Sequence, residues 1–258
     1  MFRVPMETVN KRGKRLSAHF KIVKPDGDGP FPTIIMLHGC GRAFVAPEFA
    51  NIAKQHGFAS IIVDSFAPRN ISEMEAGATV CTTLQLRGSE RAGDLAATIE
   101  WALYQDWVDK GQIHAAGWSH GGWTIMDAIA REDEIGSLAY LSDYKPNYIN
   151  RLKSIFCTYP WCGPGSHSHS KGWKLKIPAH FIICGRDFVV GDALTMQTID
   201  KLSREGHDIG HTFFEKATHS FDERDSIHPA HKFDLNYTNQ AVEIMIDFFK
   251  QQQETIFS

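Results

Sequence analysis

The sequence predicts an α/β protein built on a mainly parallel sheet with helices on both faces. Three observations predict it. Short unbroken apolar runs, such as 32–39 (PTIIMLHG), 58–65 (FASIIVDS) and 178–185 (PAHFIICG), suit strands buried on both faces. Amphipathic stretches of 10 or more residues alternate with those runs, as crossover helices between parallel strands must. The 258 residues are 43% hydrophobic and 22% charged, enough apolar material for one large core in one domain, 1–258.

Taken in order, 2–9 (FRVPMETV) and 17–23 (SAHFKIV) read as strands near a sheet edge, with 10–15 (NKRGKR) as the turn between them. The loop 25–32 leads into the strand 32–39, the helix 46–57 that ends at Gly57, and the strand 58–65. An irregular stretch covers 66–88. The helix 89–105 follows, with Ser89 as its N-cap. Strand 112–119 runs through a sharp turn into helix 120–131. Residues 132–153 form a small insertion or a surface connection. Strands 154–160 and 178–185, helix 191–206, strand 211–217 and helix 238–253 complete the chain.

The strongest local signal is Gly117-Trp118-Ser119-His120-Gly121, a G-x-S-x-G between a strand and a helix. The chain must reverse sharply there, and side chains at 117 and 121 would clash. The helix that follows Ser119 aims its first amides at the same point, which favours developing negative charge. A serine hydroxyl needs a base and the base needs an orienting acid. In this arrangement they follow in the order Ser, acid, His. Asp187 lies just past the run ending at Cys184, with Asp192 as its rival; His219 lies just past the last strand and is singled out by position among 13 histidines. Backbone donors for an oxyanion are expected from His120 and from the turn His38-Gly39-Cys40-Gly41-Arg42, where Cys40 is the leading choice and Gly41 the rival. Arg42 and Arg69, in loops near the expected mouth, are candidates for binding a substrate carboxylate or for pairing with a structural acid. Trp118, Trp161, Phe188 and Phe221 are candidates for lining an apolar pocket, whereas Trp123 on its helix reads as core.

Together, LHGCGR (37–42), VDSFAPRN (63–70), RAGDLAATIEWAL (91–103), GWSHGG (117–122), CGRD (184–187) and ATHSFD (217–222) resemble the dienelactone hydrolase family of α/β-hydrolases, over residues 32–222. The resemblance implies an eight-stranded, mainly parallel sheet and cofactor-free hydrolysis of esters or lactones. The enzymes that name the family carry a cysteine nucleophile. Ser119 in its place implies an ordinary serine esterase acting on a small carboxylic ester or lactone through an acyl-enzyme. A thioesterase or small peptidase-like hydrolase, and a non-catalytic binding module that keeps the fold, are the alternatives. The resemblance also pairs Cys40 with Cys81, since its branch often carries both, whereas cysteine usage alone reads as five reduced thiols.

The net charge of −3 and the lack of a basic face argue against nucleic acid as a partner. No stretch approaches a membrane span, and no apolar segment follows the N-terminal basic residues, so a cytoplasmic monomer or homodimer is expected. Cys157 and Cys162 lack a finger spacing, and His167-Ser168-His169 matches no zinc pattern, so no metal is expected.

Overall fold

The computed structural model describes residues 6–41, 46–226 and 228–254. Among them one seven-stranded sheet forms from β1 (Lys21–Val23), β2 (Phe31–Leu37), β3 (Ala59–Val63), β4 (Val108–Trp118), β5 (Leu152–Thr158), β6 (Ala179–Cys184) and β7 (Ile209–Phe214), in the order β1-β3-β2-β4-β5-β6-β7. Only β1 runs antiparallel; it pairs with β3, and every other neighbour is parallel.

The helices are α1 (Val9–Ser17), α2 (Ala46–Gln55), α3 (Glu73–Glu75), α4 (Gly88–Leu103), α5 (His120–Ala130), α6 (Ile135–Leu138), α7 (Ser168–Lys171), α8 (Ala193–Arg204) and α9 (Leu235–Glu254). Successive strand residues point to opposite faces, and both faces are buried. Ile35, Leu37, Ile61, Ala115, Ile155 and Phe181 meet α1, α4, α5 and α8 in one core. Their strand neighbours Ile34, Met36, Ile62, Ala116, Phe156 and Ile182 meet α2 and α9 in the other. This double burial produced the unbroken apolar runs of the sequence.

The N-terminal segment differs from the sequence expectation, and with it the eight-stranded count. Residues 1–5 lie outside the described residues. Residues 10–15 are not a turn between strands but the body of α1. The Thr8 hydroxyl caps that helix by accepting from the Lys11 amide at 3.1 Å. Its buried face is Val9, Arg12, Gly13 and Leu16, a helical spacing carried partly by an arginine and a glycine. Gly13 is there because α4 comes close: a Cβ would stand 2.9 Å from the Ala97 carbonyl oxygen. Arg12 is tolerated because Glu7, Asp94 and the Ala139 carbonyl accept its hydrogen bonds.

Two smaller differences follow. Helix α4 starts at Gly88, so Ser89 stands in its first turn, and the Glu90 carboxylate accepts from the Arg87 amide at 3.0 Å in place of a Ser89 cap. Residues 132–153 hold α6 and short turns packed on α1 and α4, anchored where Asp143 accepts from the Val9 amide and Glu7 bridges Leu141. None of them lines the cleft described next.

Candidate active site

Parallel strands end together, so the loops past their C-terminal ends share one edge of the sheet. Leu37, Gly117 and Cys157 are in register across β2, β4 and β5. Ser119 sits just beyond β4 with φ 51° and ψ −112°, a conformation that L-residues rarely adopt. The glycines around it are required by contact. A Cβ at Gly121 would lie 2.0 Å from the Leu37 carbonyl oxygen, and one at Gly117 2.5 Å from the Gly121 carbonyl carbon. The bend thus fits only with glycine at both places, and it presents the Ser119 side chain at the N-terminus of α5.

His219, past β7, reaches Ser119: its Nε2 is 3.0 Å from the hydroxyl oxygen. Its Nδ1 is 2.7 Å from one Asp187 carboxylate oxygen. The other Asp187 oxygen accepts from the Val189 and Val190 amides, each at 2.9 Å. Burial pushes the Asp187 carboxyl up, but the hydrogen bond and charge of His219, with the two amides, outweigh it and hold the group below its ordinary range. An ionised Asp187 accepts from Nδ1–H, which leaves Nε2 as the acceptor for the serine proton. Asp192 stands instead at the N-cap position of α8.

The turn after β2 lies against the nucleophilic bend. A Cβ on Gly39 would be 3.5 Å from the Ser119 Cβ, so the backbone of this turn passes beside the serine. Arg91, fully buried on α4, fastens the turn: its guanidinium donates to the His38 carbonyl at 2.7 Å and to the Ser65 hydroxyl at 2.9 Å, and lies 3.3 Å from the His120 Nδ1. Burial lowers its pKa to about 10, which leaves it charged at neutral pH. Cys40 in this turn is bonded to Cys81, so the expectation of five reduced thiols is corrected; Cys157, Cys162 and Cys184 are free and buried.

Ser119, His120 and His219 open on a cleft of about 900 Å³. Trp118, Trp123, Tyr159 and Trp161 line it. Phe221 is core, and Phe188 is exposed to solvent. Arg69 is paired with an acid of the fold: both its Nη nitrogens donate to Asp94 at 2.8 Å, and one also donates to the Ser65 carbonyl at 2.7 Å. Arg42 lies outside the described residues. His167 faces Arg131, and His169 hydrogen-bonds Thr198. Sequence reasoning missed Arg91, Tyr159 and Asp222. Arg91 and Asp222 stood in quoted motifs, and nothing there marked either as buried.

The model of the dienelactone hydrolase family matches residues 21–253. Two curated Escherichia coli sequences, each described as an uncharacterized 31.7 kDa protein in the traX-finO intergenic region, are 30% identical over 130 residues; the match spans 50% of this chain and 42% of theirs. Esterase 2 of Thermogutta terrifontis, in a structure phosphorylated by paraoxon, superposes with a TM-score of 0.67 at 15% identity, over 90% of this chain and 88% of that one. Dienelactone hydrolase of Anabaena variabilis gives 0.58 at 15% identity, over 90% of each chain. At such identities these likenesses establish the fold.

Proposed function

The chain belongs to the dienelactone hydrolase family, and from that premise we propose that it is a serine hydrolase cleaving a small carboxylic ester or lactone through an acyl-enzyme. Ser119 attacks the carbonyl carbon while its proton passes to His219 Nε2. The carbonyl oxygen becomes an oxyanion, held by the backbone N–H groups of His120, at the start of α5, and of Cys40, in the turn after β2. The imidazolium then protonates the leaving alcohol as the tetrahedral intermediate collapses. Water, deprotonated by the same imidazole, releases the acid. Asp187 fixes the imidazole tautomer and stabilises its charged form.

The observation that carries this reading is the unbroken relay from Asp187 through His219 to Ser119, at 2.7 and 3.0 Å, on a strained bend facing a cleft. The size of the cleft suits a small substrate. Thermogutta terrifontis esterase 2 has been seen with propionate and with butyrate bound, which adds support for a short acyl group.

Turnover of p-nitrophenyl acetate by the wild type and Ser119→Ala tests the reading. A loss of about 10³-fold or more in kcat is expected. Equal rates would remove Ser119 from the mechanism.

A further inference from the structure

Asp222 is a buried carboxylate for which the relay has no use. It is 3% exposed and stands three residues after His219. One oxygen accepts from the Trp118 indole at 2.9 Å, the other from the Tyr159 hydroxyl at 2.5 Å. Trp118 immediately precedes the nucleophile. Tyr159 lies just past β5, and its ring packs on the His219 imidazole with centroids 4.6 Å apart. A single carboxylate therefore ties together the ends of β4 and β5 and the histidine loop.

The backbone there is strained at three non-glycine residues: φ is 51° at Ser119, 39° at Tyr159 and 51° at Ser220. Such residues persist only where their surroundings over-determine them. Ser220 adjoins His219, and Tyr159 is the ring partner of His219, which Asp222 holds directly.

We propose that Asp222 is a positioning residue that clamps the Tyr159 ring against His219 and supplies a second negative charge favouring the imidazolium. This rests on the serine-hydrolase reading for its catalytic meaning, though not for its physics. The titratable groups facing this pair are Asp187 and Cys184 from β6 and its loop, Tyr159 past β5, His231 before α9, and Glu223 on the same loop as Asp222 and His219. Burial raises the Asp222 carboxyl to about 6, against the hydrogen bonds of Tyr159 and Trp118 and the charge of His219. Above that pH it is ionised and lies in the field of His219. Burial and the charge of Asp222 together push Glu223 up to about 7.

An ionised Asp222 favours the imidazolium that forms as Ser119 loses its proton, so removing its charge moves the acid limb of kcat/KM to lower pH. The test is the pH profile of kcat/KM for p-nitrophenyl acetate in the wild type and Asp222→Asn. A displaced acid limb is expected, with kcat down about 10- to 100-fold and KM within about twofold. An acid limb that stays in place overturns the proposal whatever the rate does, since a purely structural brace would not move it.

Tyr159→Phe keeps the ring, loses the hydroxyl and guards against a misfolded Asp222→Asn. It should lower kcat with KM unchanged, and a wild-type kcat in a folded Tyr159→Phe would also overturn the proposal. If the wild type neither turns over ester nor takes a phosphonate on Ser119, the hydrolase reading fails, while the ring-current-shifted NMR signals of His219 and Tyr159 in the wild type and Asp222→Asn still decide whether Asp222 holds the two rings together: unchanged signals overturn the clamp.

Discussion

Asp94 and Asp187 are both buried and both held below the ordinary carboxylate range, yet their surroundings suit opposite purposes. On α4, burial pushes Asp94 up, and the charges of Arg69 and Arg12 overcome it and bring it to about 2. Both partners are guanidiniums, charged at any working pH, and Arg12 is also held by Glu7 and the Ala139 carbonyl. No proton in that cluster can move. Asp187 is paired instead with an imidazole, whose far nitrogen points at a hydroxyl in a cleft. In the proposed mechanism the proton of that hydroxyl passes to the facing nitrogen and leaves on the alcohol, while the Nδ1 proton stays hydrogen-bonded to Asp187. Pairing and burial alone therefore do not mark a catalytic carboxylate. The mark is a titratable partner with an open neighbour.

Crossed substitutions are the sharpest way to break this comparison. His219→Ala should lower kcat for p-nitrophenyl acetate by about 10³-fold or more and lower the denaturation midpoint less than Asp94→Ala does, since the Val189 and Val190 amides still hold Asp187. Asp94→Ala should do the reverse: it strands two buried guanidiniums and costs about 3–5 kcal/mol in urea unfolding, with near-normal kcat per folded molecule. A large loss of kcat in folded Asp94→Ala would erase the distinction.

A smaller effect concerns the tether between the cleft wall and the proposed oxyanion turn. Cys40 and Cys81 are 41 residues apart in sequence. Closing a loop of that length contributes about 2–4 kcal/mol, so Cys81→Ser should lower stability by that order. Thiol counting on the unfolded, unreduced protein should find the three free cysteines, and five after reduction. Five without reductant would contradict the bond.

What could be read in the sequence was what local sterics or chain order fixes. Gly117 and Gly121 are legible because the bend admits no side chain there. Asp187 and His219 are legible because parallel strands deliver their following loops to one edge. The two cores are legible because strands buried on both faces must be apolar throughout.

What was hidden depends on distant partners. Helix α1 went unread because Arg12 and Gly13 hold buried positions, and each is satisfied by contacts on α4 that no local pattern reveals. The sequence left Arg69 open between a substrate carboxylate and a structural acid, because its partner Asp94 lies 25 residues on. Asp222 looked like any loop acid, since its burial comes from Trp118 and Tyr159 closing over it.

In the proposed mechanism Ser119 is nucleophilic because His219 takes its proton. Intact-mass and peptide-mapping analysis after treatment with a fluorophosphonate puts that dependence to the test. One adduct, located on Ser119 and lost in His219→Ala, is the expected result. An adduct elsewhere, or equal labelling of the wild type and His219→Ala, would contradict it.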